Sequence, residues 1–241
     1  MIDFHTHILP DIDDGSGNVE ESVRLIEILA EQGVTKIILT PHFYAHRSSI
    51  ESFREKRKEA LRQLKEALCK KSVDVELYAG SEALFFDDLW RIDDIRELCI
   101  EGTEYLLLEM PFSSWENSAV EHIINLTNRG IIPVLAHFER YIKYSGNIAK
   151  IKELLRYGVL LQMNCNYLHG FFTKGKGIGF IKSGSVFALG TDCHNIDSRK
   201  PDFDGIEDLL IKKLDGKTYD RFIRRQEQFI KNAKKVYPES K

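Results

Sequence analysis

The chain has 241 residues, 43% of them hydrophobic and 29% charged, with a formal net charge of -3. That is enough apolar material for one large core, and a single domain over 1–241 is expected because α/β barrels run to this length undivided. The weak negative charge gives no electrostatic footprint for nucleic acid or a membrane surface, so an anionic substrate would need local charges to attract it.

Short runs rich in β-branched residues alternate with longer amphipathic ones. The first strand is Ile2 to His7. Asn18 and Glu21 form a helix-capping pattern, Val19, Val23, Ile26 and Ala30 follow at helical spacing, and Gly33 ends the helix. Thr35 to Pro41 is the second strand. Ser48 and Glu51 open a long helix carrying Phe53, Leu61, Leu64 and Leu68, and Val73 to Ala79 is the third strand. A helix is placed between Asp87 and Leu98. Tyr105 to Met110 is the fourth strand, and a helix capped by Ser113 and Glu116 runs to Gly130. Ile131 to Ala136 is the fifth strand, Asn147 to Tyr157 a helix, and Val159 to Met163 the sixth strand. Gly170 to Gly179 reads as a mobile loop before a short helix, Val186 to Gly190 is the seventh strand, and one or two helices lead to frayed last residues.

This alternation implies a mostly parallel sheet with helices outside. Seven strands without a domain break favour a closed or nearly closed barrel. An open doubly wound sheet is the competing arrangement, but no G-x-G-x-x-G follows the first strand. The opening residues contain neither the basic nor the apolar region of a secretory signal, and no apolar stretch reaches a membrane span. Cys69, Cys99, Cys165 and Cys193 form no C-x-x-C pair, which fits a reducing cytoplasm.

The chemistry-bearing residues recur at strand ends. His5 and His7 end the first strand, His42 the second, and Glu82 follows the third. Glu109 ends the fourth, His137 follows the fifth, and Asp192 and His194 follow the seventh. In a parallel barrel these ends share one face, where active sites lie. Imidazole nitrogens and carboxylate oxygens together suit Zn²⁺, Mn²⁺ or Fe²⁺. Residues two apart on a strand face the same way, so His5 and His7 can share an ion, and the same spacing pairs Asp192 with His194. A lone strand-end histidine is more often a hydrogen-bonded residue than a ligand, and Asp13 or Asp14 could simply shape a turn. The joint occurrence at these separate strand ends is what favours a metal cluster. Arg140, just past His137, offers a planar fork suited to phosphate, as does Arg199, with an ion pair as the alternative role. His46, His122 and His169 read as surface or loop residues.

Asp3-Phe4-His5-Thr6-His7, Asp11-Ile12-Asp13-Asp14-Gly15, Thr40-Pro41-His42, Gly80-Ser81-Glu82, Leu108-Glu109, Ala136-His137-Phe138-Glu139-Arg140-Tyr141 and Thr191-Asp192-Cys193-His194-Asn195 resemble the polymerase and histidinol phosphatase (PHP) superfamily. More narrowly they resemble its bacterial capsule-regulating, CpsB/YwqE-like tyrosine phosphatases. The resemblance implies a distorted TIM-like (β/α)7 barrel holding three metal ions, manganese foremost, with Fe²⁺ or Zn²⁺ as other fits. It assigns His5, His7, Glu82 and Asp192 to one ion. Glu82 bridges to a second ion bound also by Glu109 and His137, and Asp14, His42 and His194 hold a third. Arg140 and Arg199 resemble the phosphate-binding arginines. Aspartate at position 14, where many superfamily members carry histidine, favours the tyrosine-phosphatase branch.

The implied reaction is hydrolysis of a phosphate monoester without a covalent phosphoenzyme. The implied partner is a tyrosine-phosphorylated bacterial kinase of capsule or exopolysaccharide synthesis, or its C-terminal tail, met in the cytoplasm. Histidinol phosphate or another small phosphate ester is the nearest alternative substrate, and a non-catalytic metal-binding regulator is a different class. Cys193 to Arg199 also fits the C-x5-R spacing of thiol phosphatases, but no glycine lies inside that loop to build a phosphate cradle, so the match reads as chance.

Overall fold

A computed structural model describes residues 1–71 and 73–238. Its strands fall into two ladders. One has the order β1-β2-β4-β10, from Ile2–Thr6, Lys36–Leu39, Glu76–Ala79 and Lys235–Tyr237. The other has the order β3-β5-β6-β7-β8-β9, from His42–Phe43, Glu82–Leu84, Tyr105–Glu109, Ile132–Leu135, Leu160–Asn164 and Val186–Gly190. All pairings are parallel except that of β10 with β4.

Two of the seven expected strands are each split in two, which divides the sheet. Pro41 has no backbone N–H, and the second strand breaks there into β2 and β3. The third breaks at Gly80-Ser81 into β4 and β5. Arg57, buried on α2 (Ile50–Leu68), donates to the Gly80 carbonyl at 2.9 Å and to that of Glu97 at 3.2 Å, while the Ser81 hydroxyl donates to the Leu98 carbonyl at 2.7 Å. The backbone groups released by the jog are thus satisfied. At the far side, Asp192 N–H donates to the His5 carbonyl at 2.8 Å and His7 N–H to the Cys193 carbonyl at 2.9 Å. These bonds join the chain leaving β9 to β1 and bring the two ladders together in a distorted barrel-like α/β arrangement.

The helices bury their apolar stripes against the strands. In α1 (Val19–Glu31) the Asn18 side chain accepts from Glu21 N–H, and Val23, Leu25, Ile26 and Leu29 are buried. A second apolar cluster gathers Phe4, Leu107, Val134 and Phe187 from four strands with Phe229 of α8 (Gly216–Ile230). The Phe4 and Phe229 rings meet edge to face, 5.1 Å apart.

Several expectations are corrected. Ser49, not Ser48, caps α2, accepting from Ser52 N–H. Glu116 precedes α3 (Asn117–Asn128) without a side-chain cap, and Ser113 takes no capping part. The segment between Asp87 and Leu98 forms two short 3₁₀ turns, Leu89–Arg91 and Ile95–Leu98. After α4 (Asn147–Arg156), the glycine-rich stretch is largely helical, lying between α5 (Asn166–His169) and within α6 (Lys174–Lys182). Ile178 and Ile181 are buried on α6, and a Cβ at Gly177 would stand 2.7 Å from Leu168 Cδ2, so close packing on α5 selects helix despite poor glycine propensity. After α7 (Ile206–Lys213) and α8, where helices were expected to finish the chain, it returns as β10; the last residues, expected to be frayed, fall at 239–241, which lie outside the described residues. No described helix is long and apolar enough to cross a membrane.

Candidate metal centre

The strand ends converge as the parallel arrangement requires. Register places His42 beside Glu82 across β3 and β5, and Leu84 beside Glu109 across β5 and β6. His5 and His7 flank the end of β1, with their Nε2 atoms 3.0 Å apart. Glu82 Oε2 lies 3.1 and 3.2 Å from these nitrogens, and Asp192 Oδ1 3.7 and 3.6 Å from them. His137 Nε2 lies 3.1 Å from Glu82 Oε1 and 3.6 Å from Glu109 Oε1. Asp14 Oδ1 is 3.5 Å from both His42 Nε2 and His194 Nε2. His42 faces two ways, because its Nδ1 lies 3.1 Å from Glu82 Oε2. Eight of the nine residues expected as ligands fall in overlapping groups whose donor atoms lie within 4.8 Å: His7, Asp14, His42 and His194; His5, His7 and Asp192; His42, Glu82 and Glu109. The ninth, His137, adjoins them through Glu82 and Glu109.

The spacing has a physical reading. Ligands about 2.0–2.2 Å from one ion stand roughly 3–3.5 Å from each other, close to the separations around Glu82. Glu82 Oε2, His42 Nδ1 and His194 Nε2 are buried without a hydrogen-bond partner among the described residues. Buried polar atoms left unpaired are costly, and divalent cations at the site would satisfy all three. The donor set fits Mn²⁺, Fe²⁺ or Zn²⁺.

Electrostatics follow from the crowding. Burial pushes the Glu109 carboxyl up to about 7, and the Glu82 carboxylate adds to the effect. Burial would also raise Glu82, but His5, His137 and His7 hold its carboxyl well below the usual range. For His7 burial acts downward and is outweighed by Asp13 and Glu82, which raise the imidazole to about 10.

Asp192 and His194 do not meet by strand alternation, as their spacing suggested. Strand β9 ends at Gly190, and Asp192 is left-handed with φ 57°. His137 is also left-handed, with φ 32°. Two non-glycine residues in this sparsely populated region mark a backbone held by its surroundings. A Cβ at Gly190 would stand 2.6 Å from His5 Cβ, so glycine is needed where β9 passes β1.

Some positioning residues went unnoticed in the sequence. Gln162 Oε1 accepts His137 N–H at 2.7 Å and lies 3.2 Å from His5 Nδ1. Its amide donates to Asn164 Oδ1 at 3.0 Å, and Asn164 Nδ2 donates to Asp192 Oδ2 at 3.1 Å. Strand β8 thus contributes an amide relay; the signal was two polar residues, two apart, in the otherwise apolar run Leu160–Asn164. Asp3 accepts from Thr191 N–H and from its hydroxyl, which pins β1 to β9. Asp13 Oδ2 lies 2.7 Å from His7 Nδ1 and accepts His42 N–H at 2.8 Å.

Arg140 and Arg199 both reach the cluster. Arg140 Nη2 donates to Asp192 Oδ2 at 2.6 Å and Arg199 Nη2 to Asp192 Oδ1 at 2.9 Å. Both forks line a cavity of about 350 Å³ with Tyr44, Phe112 and the cluster residues. Glu139, the neighbour considered for Arg140, is buried elsewhere and accepts Asn164 N–H at 3.2 Å. The weaker histidines stay apart: His169 is exposed beside the Asp202 carbonyl, His46 is exposed, and His122 is half-buried between Phe85 and Trp90. Cys193 is fully buried, and burial pushes its thiol well above the ordinary range, which leaves it protonated and inert.

A barrel-like α/β sheet with a histidine–carboxylate cluster at its strand ends and two arginines over it defines a protein of the PHP type. The chain belongs to the family described as "Capsular polysaccharide synthesis, CpsB/CapC", whose model matches residues 1–237. It is 28% identical over 245 residues to the tyrosine-protein phosphatase CpsB of Streptococcus pneumoniae, covering 98% of each chain. It is 29% identical over 204 residues to the tyrosine-protein phosphatase YwqE of Bacillus subtilis, covering 83% of this chain and 79% of that one. Among solved structures it matches one reported with YwqE from Bacillus subtilis and CpsB from Streptococcus pneumoniae as "unique metal-dependent tyrosine phosphatases". The TM-score is 0.84 at 26% identity, over 97% of this chain and 96% of that one.

Proposed function

We propose that this protein is a metal-dependent protein-tyrosine phosphatase acting as a single domain over 1–241. The observation that carries the reading is the pair of arginine forks bound to Asp192 in the same cavity as the donor cluster. In this reading His5, His7, Glu82 and Asp192 hold one ion, Glu82, Glu109 and His137 a second, and Asp14, His42 and His194 a third, with manganese the preferred metal. When bound, such ions supply Lewis acidity toward phosphoryl oxygens and lower the pKa of a water at the site.

The chain's own groups bind and orient the ester. Arg140 and Arg199 each have N–H donors beyond the one given to Asp192. These hold the equatorial phosphate oxygens, whose charge changes little in position as the leaving bond breaks, so placement supplies much of the rate. Tyr44 and Phe112 offer ring faces for a phenyl group. A phenolate leaves with little protonation, so no strong general acid is needed. Asp13, Gln162 and Asn164 fix the directions of His7, His137 and Asp192. The substrate is the phosphotyrosine of a bacterial kinase of capsule or exopolysaccharide synthesis, or of its C-terminal tail, and the compartment is the cytoplasm.

The test is a chelator-stripped protein reloaded separately with Mn²⁺, Fe²⁺ and Zn²⁺, its metal content measured, and assayed in parallel on a phosphotyrosine peptide and histidinol phosphate. Turnover of the peptide, greatest with Mn²⁺, is expected. Preference for histidinol phosphate would move the substrate assignment, and metal-loaded protein inert on every phosphate ester would make it a non-catalytic metal binder.

A further inference from the structure

The cavity beneath Arg140 and Arg199 shares Asp14, His42 and Tyr44 with a second cavity of about 380 Å³. Its other walls include Phe53, Arg47 and Lys56. The Arg47 guanidinium lies 4.8 Å over the Tyr44 ring. Among the described residues neither Arg47 nor Lys56 has a carboxylate within ion-pairing distance. Along the helix that carries Lys56, Arg54, Arg57 and Arg62 each pair with a glutamate, whereas Lys56 and, ahead of the helix, Arg47 face the cavity. The acids at its edge are engaged elsewhere: Asp13 binds His7 and the His42 N–H, and Asp14 faces His42, His194 and Arg199.

The geometry points to this second cavity as a subsite for an anionic side chain flanking the substrate's phosphotyrosine. The inference rests on the phosphatase reading and specifies what that site selects. With the phosphoryl group under the arginines and the phenyl ring along Tyr44, an extended peptide advances about 3.3 Å per residue. A neighbour one to three positions away then reaches Arg47 and Lys56. A glutamate or aspartate carboxylate and a second phosphotyrosine both carry the required charge.

Three peptides with one phosphotyrosine core and glutamine, glutamate or a second phosphotyrosine at the flanking positions decide the matter. The wild-type protein should turn over at least one anionic peptide with kcat/KM roughly 2- to 5-fold above the glutamine peptide, the size of one partly exposed ion pair. The advantage should lie mainly in KM and shrink with added salt. Which anionic peptide gains identifies carboxylate or phosphate as the recognised group. In the Arg47→Ala, Lys56→Ala double variant the ratio should fall to about 1, and in Lys56→Glu it should turn toward a lysine-flanked peptide. A wild-type ratio near one, or a ratio surviving in both variants, overturns the subsite. Turnover of p-nitrophenyl phosphate alongside such a result leaves the phosphatase reading intact, whereas no turnover of any phosphate ester removes both.

Discussion

Asp13 Oδ2 lies 2.7 Å from His7 Nδ1, so the imidazole presents its Nε2 to Glu82 and Asp192. Partners of this kind fix the tautomer and orientation of a ligating histidine, and losing one costs about 10- to 100-fold in metal affinity. Asp13→Asn should therefore bind manganese about 10- to 100-fold more weakly with its circular dichroism spectrum unchanged, measured by metal titration. Affinity equal to wild type would reduce Asp13 to a turn residue.

Metal loading should stabilise the fold as well as activate it. His5, His7 and Glu82 are buried together, and burying charge without full compensation is costly. An ion present at about 100 times its dissociation constant adds about 2.7 kcal/mol, which for a chain of this size raises Tm by roughly 5–10 °C. Thermal melts of stripped protein with and without Mn²⁺ measure this, and superimposable curves would contradict it.

Phe112 is 47% exposed and its ring lies 5.7 Å from that of His137. Aromatic pairing contributes about 0.5–1.5 kcal/mol beyond area burial. Phe112→Ala should lower kcat/KM on a phosphotyrosine peptide roughly 2- to 10-fold more than on a phosphoserine peptide of the same sequence. Equal losses would leave Phe112 outside recognition of the phenyl ring.

The thiol route makes an opposite prediction. Cys99, Cys165 and Cys193 are buried and only Cys69 is exposed. Iodoacetamide should label Cys69 alone in the native protein, read by mass spectrometry. Cys193→Ser should keep activity within about 3-fold below its melting temperature. Abolished activity in a folded Cys193→Ser protein would transfer the chemistry to sulfur.

Asp202 gives a stability prediction with a definite sign. Burial pushes its carboxyl up from 3.8 to about 6, and Oδ1 has no hydrogen-bond partner among the described residues. The folded state therefore holds this proton more tightly than the unfolded one. Its contribution to stability is fullest below pH 4, falls as pH rises through about 4 to 6, and is lost above that. Asp202→Asn should thus be more stable than wild type at pH 7–8, by up to about 3 kcal/mol, and lose that advantage near pH 4. Denaturant melts at the two pH values measure the difference, and an advantage independent of pH would assign it to something other than this carboxyl.

The strand ends were legible because the constraint there is chemical. Histidine at 5, 7 and 42 and carboxylate at 82 and 109 recur where parallel strands stop, and one topological rule gathers them. The choice between Asp13 and Asp14 was open, since adjacent residues differ in direction and only the folded turn aims one at His7 and the other at His42 and His194. What sequence hid is tertiary. Glycines at 175, 177 and 179 read as loop, yet contact with Leu168 selects a helix there. Strand β10 pairs with β4 only because the third strand jogs at Gly80 and leaves that edge to it. Gln162 and Asn164 were visible as polar interruptions of an apolar strand, but their partners come from three other strand ends.

The junction of β1 with the chain leaving β9 has a consequence for biosynthesis. Asp3 closes on Thr191, and the His5 carbonyl accepts Asp192 N–H. At roughly 5–20 residues per second, the ribosome delivers Asp192 on the order of ten to forty seconds after His7. Until then the first histidines lack their counterpart, so a nascent chain stalled before Thr191 offers a cation only a fragment of its coordination sphere.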